Sequence, residues 1–223
     1  MTVARGLGRT DWAIPAGLIT LSVVPALAGT ARLIELARGA AITAANARFF
    51  EMPLPVVLHI LAIIPFSILG ALQFAPAFRR RHRGWHRASG RVLVVCGLIA
   101  ALTGLFMAQL YAWPKGDGEA VYIERLVFGS AMIGAILKAI DAIRRRNFAV
   151  HGEWMIRAYA IGMGAGTQAL THLPYFLLVG TPNESARAVL MGAGWVINVV
   201  VAEWIIRRAP ARSCVSRLRL TSH

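Results

Sequence analysis

Six apolar stretches of about 20 residues follow one another along this chain, and the connections between them carry arginine on alternate sides. A helix rises 1.5 Å per residue, so about 20 apolar residues cover a hydrocarbon core of about 30 Å. Lipid offers no partner to a free backbone amide, which leaves helices and closed barrels as the structures able to cross it. The stretches lie at about 12–33, 54–76, 92–113, 124–143, 154–179 and 187–206. They predict an all-α, polytopic helical bundle of about six spans, one integral membrane domain over residues 1–223 that ends in a basic tail at 207–223.

Arginine and lysine in short connections set orientation, because they are held on the cytoplasmic side. Arg79, Arg80, Arg81, Arg83, Arg87 and Arg91 lie between the second and third stretches with no acid among them. Arg144, Arg145 and Arg146 follow the fourth, and the tail adds Arg207, Arg208, Arg212, Arg217 and Arg219. The intervening connections are poorer: "KGDGEA" sets one Lys against two acids, and "TPNESAR" sets Glu184 against Arg187. Both termini are therefore expected inside. The connection before the second stretch dissents weakly, with Arg32, Arg38 and Arg48 against Glu35 and Glu51.

A net charge of +14 raises the question of nucleic acid, but the basic residues sit at the ends of apolar segments, not on a soluble face with a reading helix. No nucleic-acid partner is expected; the partner implied is a bilayer with anionic headgroups. Only 15% of residues are charged, against about 25% in soluble domains. Cys96 and Cys214 fall at different levels and form no disulfide or zinc pattern. The amino terminus also fits a secretory signal, with Arg5 and Arg9 ahead of an apolar run and Ala26-Leu27-Ala28 at its end. The run continues through Ile34, which suits an uncleaved anchor. Gly162, Gly164, Gly166, Gly192 and Gly194 mark faces where helices can approach closely, and Pro65 and Pro174 are expected to bend the second and fifth spans.

An ionisable side chain in a membrane helix is costly, so its presence raises a functional question. His59, near the start of the second span, and His172, 18 residues and about 27 Å past Trp154, both fall near the outer surface. His86 and His151 both fall at the inner boundary. Two imidazoles at one depth are what a haem b iron takes as axial ligands. An outer pair, His59 with His172, and an inner pair, His86 with His151, would carry electrons across the membrane to or from a quinone or other redox partner. The separation from His151 to His172, about 31 Å, pushes the inner pair into the headgroup layer. Around that pair lies an inner polar cluster of Gln73, Arg87, Arg91, Asp141, Trp154, Arg157 and Glu203. Arg157 stands inside an apolar helix and needs a carboxylate, for which Glu153, Asp141 and Glu203 are candidates by depth.

The ordered set "LHI" at 58–60, "GALQF" at 70–74, "HRASGR" at 86–91 and "HGEWMIRAYA" at 151–160 resembles the signature of a bacterial predicted-membrane-protein family, domain of unknown function 2306. The resemblance covers about residues 48–175. It implies a small multi-pass protein of the bacterial cytoplasmic (inner) membrane and carries no activity. By that resemblance the motif positions are His59, Gln73, His86, Arg87, Gly90, Arg91, His151, Trp154, Met155 and Arg157. The family pattern favours an arginine late in the fifth span, where this chain has Gln168, Ala169 and His172; that departure counts against His172 as a ligand.

Three functions fit these residues. The first is a haem b electron carrier; the second is a small-solute or proton-coupled transporter gated by the inner cluster; the third is a non-catalytic protein that binds lipid headgroups. Hydrolysis is not indicated, since the chain has no GxSxG elbow, no HExxH helix and no phosphate-cradling loop outside an apolar span.

Overall fold

The computed structural model describes residues 9–208, with side chains from residue 12 onward. Arg5, Cys214, Arg212, Arg217, Arg219 and His223 lie outside the described residues. Those described form nine helices and no strand: α1 (Arg9–Arg38), α2 (Ala47–Glu51), α3 (Pro53–Leu72), α4 (Pro76–Arg81), α5 (Arg83–Leu110), α6 (Glu119–Arg144), α7 (Phe148–Gly162), α8 (Gly164–Leu178) and α9 (Glu184–Arg208). Five of them, α1, α3, α5, α6 and α9, are long and apolar enough to cross a membrane.

The sixth pass is made by α7 and α8 together. Both run antiparallel along α9, and their partners descend it in order. Arg157 meets Glu203, Ala160 and Thr167 meet Asn198, Gln168 meets the Met191 carbonyl, and Thr171 meets that of Leu190. The expected span at 154–179 is thus one crossing in two pieces, interrupted at Met163. Proline is not the cause, for α3 continues through Pro65 and α8 through Pro174. The interruption falls where three glycines meet other helices at close range. A Cβ on Gly162 would stand 2.6 Å from the Phe66 ring, one on Gly164 would stand 2.2 Å from Trp195 Nε1, and one on Gly166 would stand 2.4 Å from the Leu21 carbonyl oxygen.

An interrupted helix leaves backbone groups without their usual partners, which lipid cannot supply. Asn198 answers this from α9. Its Nδ2 donates to the Ala160 carbonyl at 3.0 Å, and its Oδ1 accepts from the Thr167 hydroxyl at 2.7 Å, so one amide joins both sides of the break.

Packing order explains where space opens. The bundle closes as α1 on α3, α3 on α5, α5 on α6, α6 on α7 and α9, and α8 on α9 and α1. In the arginine-rich half, α7 fills the axis and touches α3, α5, α6 and α9. Phe66, Met132, Ile136, Ala158 and Tyr159 form the core there, with the Tyr159 hydroxyl donating to the Ser67 carbonyl at 2.7 Å. Beyond Met163 the chain moves over to α1 and α9, and the axis of the far half is left to a cavity.

Candidate functional site

That cavity has a volume of about 360 Å³ and runs from the far end of the bundle to its middle. Arg48, Trp113 and Arg125 stand at its mouth; Gly104 and Ala108 line its waist; Met132, Ile161 and Gly162 form its floor. Ala100, at the lower wall, lies ten residues, about 15 Å, below the end of α5. The size falls within the range of small-molecule sites, about 300–1,000 Å³. A second cavity of about 200 Å³ lies against α1, and His59, Ile63, Gly162 and Ala165 belong to the walls of both.

His59 is the titratable group at this partition. Its Nδ1 lies 2.9 Å from the Ala100 carbonyl and 3.2 Å from the Thr103 hydroxyl, which itself donates to Ile99. A carbonyl only accepts, so Nδ1 carries a proton and the neutral ring keeps its lone pair on Nε2. Gly104 faces the imidazole, and a Cβ there would stand in ordinary contact with it, 3.5 Å from its Cε1.

The mouth is built around Asp117, in the connection between α5 and α6. Its side chain is 1% exposed and forms ion pairs with Arg125, at 2.5 Å, and with Arg187 at the start of α9. Arg48 comes from α2, donates to the Ala112 carbonyl at 3.4 Å and stacks on Phe49, with its guanidinium 4.6 Å from the ring centre. Burial and then the neighbouring Arg32 push the Arg48 guanidinium below its ordinary value, while Asp117 pulls the other way. Arg125 and Arg187 thus close on Asp117, Glu184 packs against Gly118 beside it, and Arg48 has no carboxylate in ion-pair range among the described residues. Sequence reading passed over this group. Arg48, Asp117 and Arg187 entered only as loop charges to be summed and Arg125 only as a charge in the end turn of the fourth stretch, and nothing local shows that residues 70 positions apart meet.

The residues singled out in the sequence fall into three places. His172 lines neither cavity; its Nδ1 donates to the Gln168 carbonyl of its own helix at 2.7 Å. The structure therefore does not bring His59 and His172 into one cavity. His86, on α5, and His151, on α7, both lie at the arginine-rich end. His86 Nδ1 donates to Gln73 Oε1, Gln73 Nε2 donates to the Ser89 hydroxyl at 2.7 Å, and that hydroxyl donates to the Trp85 carbonyl at 2.7 Å. His151 Nδ1 donates to the Ala139 carbonyl at 2.9 Å. Arg87 and Arg91 are exposed on α5.

Arg157 finds Glu203 among its three candidate partners, in a two-pronged pair at 2.5 and 3.0 Å. Asp141 instead pairs with Arg145 on its own helix at 2.9 Å, where both are well exposed. Trp154 lies between two cations, with Lys138 Nζ at 4.3 Å and the Arg157 guanidinium at 4.6 Å from its ring centre. Arg157, Glu203, Trp154 and Lys138 together tie α6, α7 and α9 at this end. Among the described residues no three His, Cys, Asp or Glu side chains gather as a metal site.

Comparison with curated proteins and with solved structures found no match. One family model does match, over residues 56–206, which takes in His59, the Gln73–His86 pair, the Asp117 carboxylate, the broken pass and Glu203. The chain belongs to the family described as predicted membrane protein, DUF2306.

Proposed function

We propose that this multi-pass membrane protein is a carrier for a small solute, which it takes up in the far-half cavity, with that end of the bundle outside a bacterial inner membrane. The observation that carries this reading is the cavity itself, which reaches the middle of the bundle and ends against an interrupted helix. Irregular backbone at membrane depth is tolerated where it is buried or lines a cavity, and helix breaks of this kind are where carriers hold solutes and change shape. Ala165, just past the break, borders both cavities, so movement of α8 against α7 would alter both at once. Arginine asymmetry supports the orientation, because the connections at the other end hold the unopposed arginines.

The test is access from two sides. In a chain with Cys96→Ala and Cys214→Ala, Ala165→Cys is expected to react with a small impermeant thiol reagent from either face of oriented vesicles, at different rates. Reaction from the far face alone would contradict the carrier step and leave a binding site.

Haem b is a second reading with one observation in its favour. His59, His86, His151 and His172 each anchor Nδ1 to an oxygen acceptor, the arrangement that leaves Nε2 free to ligate. His59 and His172 share no cavity, whereas His86 and His151 share the arginine-rich end of the bundle. An oxidised-minus-reduced absorption spectrum decides it: the carrier reading expects no Soret band that disappears in His86→Ala or His59→Ala, and such a band would replace that reading with an electron carrier.

A further inference from the structure

We infer that the far-half cavity takes an anionic amphiphile, with a carboxylate or phosphate head at Arg48 and Arg125 and an apolar tail directed down toward His59. This rests on the solute-site reading above and names its ligand class. The mouth supplies the head site: Asp117 pairs with Arg125 and Arg187, Glu184 packs against the adjacent Gly118, and Arg48 is left without an ion pair among the described residues, with a guanidinium fork that suits carboxylate and phosphate oxygens. Arg48 makes a long contact to a backbone carbonyl and stacks on Phe49.

Below the mouth the wall changes character. Gly104 and Ala108 line the cavity on α5, Leu105 packs into the gap at Gly129 of α6, and Met107 and Met132 add to its wall, with no charged side chain among its lining residues below Arg125. Phe128 and Trp195, stacked on one another with ring centres 4.8 Å apart, both line the cavity and add apolar aromatic surface to its wall. Such a lining penalises a fully hydrated ion and favours methylenes. A cationic head would meet the Arg48 guanidinium at the entrance and is disfavoured by the same group that holds an anion.

Two sources present this chemistry, a free long-chain carboxylate and an anionic bilayer lipid. The experiment uses the full chain in phosphatidylcholine nanodiscs and three photoreactive probes, each with a diazirine at the end of its chain: dodecanoate, phosphatidylglycerol and dodecyltrimethylammonium. At least one anionic probe is expected to label the cavity floor at Ile63 or Met132, and excess unlabelled dodecanoate or phosphatidylglycerol is expected to suppress it. Whichever probe labels identifies the source.

Arg48→Gln is expected to weaken that labelling about tenfold, the scale of one lost charge-assisted contact. Gly104→Leu, whose Cβ would stand against His59 in ordinary contact and whose branch would add bulk to the cavity lining, is expected to abolish it. The ammonium probe is expected to label only lipid-facing positions such as Leu102. Equal floor labelling by the ammonium probe, labelling unchanged in Arg48→Gln, or no floor labelling by either anion would overturn the proposal. If Ala101→Cys reacts from the aqueous side while neither anion labels the floor, the ligand class falls and the solute site stands. If Ala101→Cys is also unreactive, both fall.

Discussion

The two ends of this bundle handle arginine in opposite ways. At one end, Arg79, Arg80, Arg81, Arg83, Arg87 and Arg91 crowd a short connection, and all six are exposed. At the other, only a few cations are present, but Arg125 and Arg187 close on a carboxylate that is 1% exposed, and Arg48 waits beside them at a cavity. Abundance at the first end sets topology. Convergence at the second builds a site.

The largest effect should follow from removing the buried carboxylate. Asp117→Asn is expected to lower stability by about 2–3 kcal/mol, below the cost for a fully buried pair because both arginines remain partly exposed. Arg87→Gln, at the crowded end, is expected to stay within about 0.5 kcal/mol. Unfolding midpoints in detergent micelles would compare the two, and equal losses would break the contrast.

Glu203→Gln sharpens it from the other side. That carboxylate holds Arg157 at the arginine-rich end with two hydrogen bonds, yet 30% of its side chain is exposed, so the expected loss is about 1–1.5 kcal/mol. Asn198→Leu should cost somewhat less, about 1 kcal/mol, because neutral hydrogen bonds between membrane helices are modest. It should nevertheless raise amide exchange around Met163 more than Glu203→Gln does. A uniform rise along α7 and α8 would argue against Asn198 as the tie across the break.

Most of the fold was legible because hydrophobic length and arginine asymmetry act locally and repeat along the chain. The spans emerge near their expected bounds, although α5 begins at Arg83, not at residue 92. Arginine favours helix and its long side chain reaches water from a helix end, so charge does not stop the helix. The break at Met163 was not legible, since its signal is Gly162 and Gly164 meeting Phe66 and Trp195, contacts set by other helices. For the same reason depth placed Asp141 and Glu203 equally near Arg157, while helix rotation gave Arg157 to Glu203 and left Asp141 on the surface with Arg145. His59 was visible as a polar residue in an apolar span. Its place between two cavities depends on where α8 departs from the axis.

Adjacent residues on α5 give the most direct test that the far half encloses a ligand-accessible cavity. Ala101 lines it and is 5% exposed, whereas Leu102 turns outward and is 55% exposed. With Cys96→Ala and Cys214→Ala as background, Ala101→Cys is expected to react with a small impermeant thiol reagent added at the far face, and Leu102→Cys, facing lipid at the same depth, is expected to stay unmodified. An unreactive Ala101→Cys beside a reactive Leu102→Cys would contradict the cavity and the site drawn from it.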